Sequence, residues 1–303
     1  MMMEGTGTHA EAPEADPEAP PRQTTPFLVL QFFIFPMAIV AVCVAVFVIF
    51  GLIASEGKGA RAYLDEVRTG SANRRWQAAF ELSKVLQARK DPALADPGFA
   101  DELVRAFEGA GADDPRVRRY LALALGRLGD QRAVPALIQA ADPKRDASTD
   151  PDTQVYAVWA LGAIGDPQSV PTLVVLARSE DAGVRKAAVH ALGSFPGEEA
   201  RAALLTAVND PAEDVRWNAA VALARRRDPA AAPVLLQMMD RKHLATIPDL
   251  SAEQREEAVL QATQAAAVVA DPSLRAALEG LRDSDPNLKV RDTARAALQG
   301  PPP

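Results

Sequence analysis

The chain has 303 residues, of which 48% are hydrophobic, and its formal net charge is −7. This length and apolar content fit one or two domains with a sizeable core and exclude a wholly disordered chain. A single cysteine excludes an intramolecular disulfide and a cysteine-based zinc site, and three widely separated histidines argue against a histidine-ligated metal centre. Proteins that bind nucleic acid usually carry a basic patch, and the negative net charge argues against one. We therefore expect no metal, no cofactor and no nucleic-acid partner.

Residues 1–25 differ in composition from the rest of the chain. They are rich in proline and acidic side chains and contain no pattern of core-forming residues. A segment of this kind cannot bury enough apolar surface to offset the entropy of ordering it. We predict a disordered acidic tail.

Residues 26–54 are almost wholly apolar, and no charged residue occurs between Arg22 and Glu56. About 20 helical residues cross a bilayer, so the pattern predicts a transmembrane helix in contact with lipid. A cleaved signal peptide and a buried core helix are the alternatives; the acidic start and the long run disfavour the signal peptide. Cys43 lies within the run and is interpreted as a buried apolar residue.

The charges that flank this run predict its orientation. Only Arg22 is basic before it, whereas five basic residues follow it closely, namely Lys58, Arg61, Arg68, Arg74 and Arg75. The side with more lysine and arginine stays in the cytoplasm. The richness in alanine, arginine and proline suits a bacterium. The sequence thus predicts a single-pass protein of the bacterial inner membrane with its C-terminal part in the cytoplasm.

Residues 55–300 contain a repeated pattern. A Val-Arg pair or its equivalent is followed by leucine eight residues after the first position, as in Val117/Leu125 and Val184/Leu192, and successive copies lie 31–39 residues apart. Periods of this size indicate stacked helical units. Gly-Asp pairs such as Gly129-Asp130 predict the end of a longer helix and the start of a shorter one. Because aromatic residues are scarce and alanine and leucine favour helices, we predict an all-α solenoid of six to seven helix pairs.

The run from Val117 to Asp130, together with the following Ala-Val-Pro-x-Leu, resembles the HEAT repeats of the phycobilisome-lyase type. The resemblance covers roughly residues 60–299. It implies a HEAT-like α-solenoid, and its name implies a bilin lyase as one activity of the family. The last copies depart from the pattern, because Ala224 and Thr263 stand where glycine is expected.

Recurring aspartate and arginine residues accompany each copy, for example Asp114 with Arg118 and Asp181 with Arg185. One interpretation is a ladder that binds anions. The other is that aspartate caps helices and arginine links neighbouring repeats, which is what such turns require. We favour the second.

A helical projection separates core from surface. Val117, Leu121, Ala124, Leu125 and Leu128 fall on one apolar stripe, which predicts the core face of that helix. On the opposite face, equivalent positions of successive repeats carry all three tryptophans of the chain. The candidate partner-binding residues at these positions are Trp76, Phe80, Arg119, Leu123, Trp159, Lys186, His190 and Trp217.

The second helices of HEAT-like arrays line the concave surface, so these residues are expected to form a groove that binds a partner. The alternative is that neighbouring repeats cover the tryptophans, which are highly buried on average. His190 has no nucleophile or carboxylate at a recognisable spacing, so we interpret it as a surface histidine rather than a catalytic one.

The sequence therefore favours a membrane-anchored, non-enzymatic scaffold or adaptor, a subunit or assembly factor of a membrane complex. Its partner would be a membrane-associated protein held in the concave groove. The alternative is a bilin or chromophore lyase, or an accessory protein of such a lyase, and it requires a convergent polar pocket with a nucleophile or acid. A DNA-repair array is disfavoured because the groove positions are not basic.

Overall fold

The computed structural model describes residues 34–54, 58–142 and 149–300, and in the first of these ranges it describes side chains only for residues 34–49. The chain divides into two compact units, residues 1–57 and 58–303. The predicted disordered tail over residues 1–25 lies outside the described residues. Residues 143–148 lie outside them as well.

In the first unit, helix α1 runs over Phe35–Ala54, and its side chains from residue 34 to residue 49 are all exposed. Among the residues that the structure describes, none of the helices has the length and apolar character needed to cross a bilayer. The predicted transmembrane helix over residues 26–54 and its contact with lipid are thus not supported. The predicted location in the bacterial inner membrane is contradicted by the same finding.

The described part of the second unit consists of seven helix pairs, within the predicted range of six to seven. The first helices of the pairs are α2 (Ala60–Thr69), α4 (Pro97–Gly109), α6 (Val134–Ala141), α8 (Val170–Leu176), α10 (Glu198–Ala207), α12 (Ala232–Met239) and α15 (Pro272–Ser284). The second helices are α3 (Ala72–Gln87), α5 (Pro115–Leu128), α7 (Pro151–Ile164), α9 (Ala182–Leu192), α11 (Glu213–Arg225), α14 (Ala252–Ala266) and α16 (Leu288–Leu298). A short helix, α13 (Arg241–Thr246), lies between α12 and α14. The described residues contain no strand, which confirms the all-α prediction.

Aspartate, proline and glycine define the ends of these helices. Asp114 accepts a hydrogen bond from the backbone N–H of Arg116, and Pro115 occupies the first helical position, where it has no N–H left unpaired. Gly129 ends α5 in the left-handed conformation (φ 76°), and Asp130 then caps a short 3₁₀ turn. The interpretation of the recurring aspartates as caps is confirmed at these positions.

The core is continuous along the second unit and consists mainly of alanine, leucine and valine. Val117, Leu121, Ala124 and Leu125 are buried, and Leu128 is half-buried at the edge of the same stripe. Burial of the first four confirms the core face that the projection predicts. The apolar area that the whole core removes from water is the main stabilisation of the unit.

Small residues bring successive second helices very close together. A methyl group on Gly126 would lie 2.8 Å from the Ala160 Cα, and one on Gly162 would lie 2.8 Å from the Ala191 Cα. Real side chains do not approach backbone atoms so closely, so only glycine allows α5, α7 and α9 to pack at this spacing. We call this series of contacts the glycine ladder.

A network centred on Arg241 holds the last repeats together. From α13, its guanidinium donates to Asp285 at 2.7 and 2.8 Å and to Glu256 of α14 at 2.5 and 3.0 Å. The Asp285 side chain is only 1% exposed. The short helix α13 therefore connects α14 with the turn before α16.

This network predicts a loss of stability in acid. Hydrogen bonds from Arg241 lower the pKa of Glu256, burial opposes them, and a hydrogen bond from Asn287 lowers it further, so the net shift is downward. A carboxyl group whose pKa is lower in the folded state stabilises the fold above its unfolded pKa, and this contribution disappears as the pH falls through the folded value. In urea titrations, wild type is expected to exceed Glu256→Gln in unfolding free energy at neutral pH. The difference should shrink below about pH 4, and a difference independent of pH would contradict this assignment.

Candidate functional site

The eight predicted partner-binding residues all lie on second helices α3, α5, α7, α9 and α11, and none of them is fully buried. Phe80 is 38% exposed and Trp159 is 36% exposed. Lys186 and His190 are exposed, and the other four, Trp76, Arg119, Leu123 and Trp217, are half-buried. We call the surface formed by these eight residues the second-helix surface. Its role in binding a partner remains a prediction.

Aromatic rings form a run across three neighbouring helices of this surface. The Phe80 ring of α3 contacts the Tyr120 ring of α5 edge-on, with centroids 5.1 Å apart, and Tyr120 in turn contacts Tyr156 of α7 at 6.4 Å. The Arg116 guanidinium lies 4.4 Å from the centre of the Trp76 ring, a cation–π contact. The two tyrosines pack against the core, and the sequence did not reveal the contact of Tyr120 with Phe80.

The cations of the second-helix surface are paired across the seams between repeats. Arg119 lies 2.6 Å from a carboxylate oxygen of Asp152, and Lys186 lies 3.0 Å from one of Asp214. Arg116 is held by Asp114, and the hydrogen bond from this arginine lowers the pKa of Asp114. The surface therefore presents aromatic rings among neutralised charges rather than a basic patch.

Other arginine–aspartate pairs connect the repeats away from the aromatic run. Arg185 of α9 donates to Asp210 at 2.8 and 3.0 Å, and Arg201 of α10 donates to Asp228 at 2.6 Å. Burial raises the pKa of Asp210, but the hydrogen bonds from Arg185 and from the backbone of Ala212 outweigh it, so the net shift is downward. These pairs confirm the interpretation of the arginines as links between repeats.

The glycine ladder stops between α11 and α14. Ala224, in place of the expected glycine, is fully buried there, and α11 and α14 pack less closely than the preceding second helices do. A cavity of about 650 Å³ lies at this position, and we call it the seam cavity. Its walls include His190, Trp217, Arg225, Arg227, Glu257 and Gln264. The departure of Ala224 from the repeat pattern is the sequence signal that marks it.

Arg227 has an unusual backbone at the edge of this cavity. Its φ is 57°, in the left-handed region, where a side chain costs about 1 kcal/mol or more. Arg89 and Asp249 are the other described non-glycine residues in this region. Local strain is therefore present at a residue that lines the cavity.

Metal binding has no visible site in the part of the chain that the structure describes. There, no group of histidine, cysteine, aspartate and glutamate is arranged to hold a metal ion. His190 lies on the second-helix surface and lines the seam cavity, where Glu257 also lies. The polar groups of the cavity can form hydrogen bonds and ion pairs with a ligand.

Comparison with known proteins identifies the repeats. The family model described as HEAT repeats matches residues 144–208 and 195–247, and the one described as PBS lyase HEAT-like repeat matches residues 117–143. The chain therefore contains HEAT repeats, including one of the phycobilisome-lyase type. A search among curated protein sequences gives no significant match.

Several solved structures are similar to this chain. The complex of CpcE and CpcF of phycocyanin lyase from Nostoc sp. is 20% identical over 81% of this chain and 96% of that chain, with a TM-score of 0.52. Human deoxyhypusine hydroxylase is 20% identical over 79% of this chain and 94% of its own, with a TM-score of 0.33. The protein YibA of Escherichia coli is 15% identical over 79% of this chain and 92% of its own, with a TM-score of 0.47.

These comparisons contradict the prediction that the protein is not an enzyme. Residues 117–143 match the family model described as PBS lyase HEAT-like repeat, and this match overturns the prediction. The prediction rested on the lack of a nucleophile–base pattern in the sequence. Catalytic groups are recognised by their geometry rather than by their spacing in a chain, so that observation was too weak to exclude an activity.

Proposed function

We propose that the protein binds a protein partner through its second-helix surface, as a subunit or assembly factor of a larger complex. The observation that carries the proposal is the run of Phe80, Tyr120 and Tyr156 across three adjacent helices, with Trp159 exposed beside it. Aromatic residues that are clustered and partly exposed are typical of interaction sites. HEAT repeats commonly mediate such interactions, and the CpcE–CpcF structure is itself a complex of two proteins.

The proposal predicts a specific loss of partner binding. Replacing Phe80 and Trp159 together by alanine removes two exposed rings and none of the buried leucines. Loss of aromatic contacts at an interface typically costs about 2 kcal/mol or more, so affinity for the partner should fall at least about tenfold. The partner is identified by crosslinking to wild type, and its dissociation constant is then measured with each purified variant.

A matched control uses an apolar side chain on the other helix layer. Val175 of α8 is 69% exposed, and Val175→Ala should leave the affinity unchanged. Circular dichroism establishes that each variant keeps its helical content. Equal affinity of wild type and the folded Phe80→Ala/Trp159→Ala variant would show that the aromatic part of the second-helix surface, around Phe80 and Trp159, is not the site.

A second candidate function is that of a lyase for a bilin-like chromophore, or of an accessory protein for such a lyase. The match of residues 117–143 to the lyase-type repeat favours it. Incubating the purified protein with a free bilin and recording its absorbance tests this directly. A shifted spectrum supports a chromophore site, and an unchanged spectrum leaves the protein-binding proposal as the better one.

A further inference from the structure

Arg227 occupies a position that other repeats give to glycine. The residue before the capping aspartate is Gly129 (φ 76°) in one repeat and Gly165 (φ 73°) in another, whereas Arg227 has the same left-handed backbone before Asp228. Residues in such conformations concentrate at functional sites. Because glycine would form this turn without strain, the turn itself gives no reason for an arginine here.

The side chain of Arg227 lines the seam cavity together with that of Arg225. In the described part of the chain, neither guanidinium has a hydrogen bond or an ion pair. Arg226 between them behaves differently, because it donates to the carbonyl oxygens of Pro196 and Gly197 at 2.9 Å each. Two cations without partners therefore line the cavity, and His190 lines it as well.

The rest of the wall suits a peptide backbone. Asn218 of α11 and Gln261 and Gln264 of α14 carry side-chain amides, each with two N–H donors and a carbonyl acceptor. Asn218 donates one N–H to the backbone oxygen of Asp214, and Gln261 donates one to Glu257. The remaining donors and acceptors can match a peptide group. Trp217 also lines the cavity.

The charges differ between the two sides of the cavity. Arg225 and Arg227 come from the end of α11, whereas Glu257 comes from α14 and accepts a hydrogen bond from Gln261 at 3.0 Å. A carboxylate of a ligand can pair with the two arginines, and N–H groups of the same ligand can donate hydrogen bonds to Glu257. The volume of about 650 Å³ lies within the usual range of ligand pockets.

We propose that the seam cavity binds an extended acidic segment of the protein partner, with a carboxylate between Arg225 and Arg227 and its backbone against the amide wall. That the ligand is a peptide rests on the proposed function. The carboxylate preference rests independently on the two unpaired arginines and on the strained turn that presents one of them.

The test compares two dye-labelled peptides by fluorescence anisotropy at low ionic strength. One peptide alternates alanine with glutamate, and the other alternates alanine with glutamine. Because hydrogen bonds between charged groups are stronger than neutral ones, the glutamate peptide should bind wild type about tenfold more tightly or better. Arg227→Gly, which gives the turn the residue of the other repeats, should stay folded and lose most of this preference.

Arg105→Ala is the matched control, because Arg105 is an exposed cation on α4 and its loss changes the net charge equally. It should keep the preference. The proposal is overturned if wild type does not distinguish the two peptides, or if Arg105→Ala and Arg227→Gly weaken binding to the same extent. It is also overturned if free glutarate displaces the peptide at equal concentration, because the site would then take small carboxylates.

The outcomes also separate this proposal from the proposed function. If Phe80→Ala/Trp159→Ala loses the partner while wild type shows no preference for glutamate, the seam cavity proposal fails alone. If that variant keeps the partner while Arg227→Gly loses the glutamate preference, the aromatic run fails as the site and the seam cavity is supported.

Discussion

Replacing Arg241 by alanine is expected to lower the free energy of unfolding of the last repeats by about 3–5 kcal/mol. The guanidinium makes four hydrogen bonds, two to Asp285 and two to Glu256. Its removal leaves the Asp285 carboxylate, which is 1% exposed, without its ion-pair partner. A buried charge without a partner costs far more than an exposed pair contributes.

The expected loss should be concentrated in the C-terminal repeats, because each repeat of a solenoid contacts only its neighbours. Urea unfolding followed by circular dichroism gives the free energy, and amide hydrogen exchange locates the change in α13, α14 and α16. Arg282→Ala is the matched control. Arg282 and its partner Asp283 are 39% and 63% exposed, so that change should cost about 1 kcal/mol or less. Equal losses in the two variants would show that Arg241 is an ordinary surface arginine.

The repeat architecture could be predicted because its signals are local. The Asp114-Pro115 pair starts a helix and Gly129 ends it through chemistry that acts over one or two residues. The core stripe from Val117 to Leu125 follows from the helical period alone. The same period also placed Phe80 and Trp159 on an accessible face.

The seam cavity and the Arg241 network could not be predicted because they depend on distant residues. Arg241 meets Asp285 at a separation of 44 positions, and no periodic pattern links the two. Ala224 was recognisable as a departure from the repeat, but the cavity beside it depends on how far α14 stands from α11. Sequence spacing specifies neither distance.

Gly162→Ala is expected to lower the free energy of unfolding by about 1–3 kcal/mol, because α7 and α9 approach each other closely at this residue. The added methyl group would lie 2.6 Å from the Ala191 Cβ and 2.8 Å from its Cα. Because the Cα belongs to the backbone, one helix must move to relieve the overlap. At an exposed position of a helix, the same change from glycine to alanine would stabilise the protein, since alanine is the better helix former by about 1 kcal/mol.

Gly280 of α15 provides that comparison within the same protein. A methyl group there meets no atom within 4 Å, so Gly280→Ala should raise the unfolding free energy by about 0.5–1 kcal/mol. Urea unfolding of both variants therefore measures two shifts of opposite sign for one chemical change. If Gly162→Ala also stabilised the protein, the seam between α7 and α9 would have room for a methyl group. The glycine ladder would then not set the spacing of the second helices, and Ala224 would not account for the wider seam between α11 and α14.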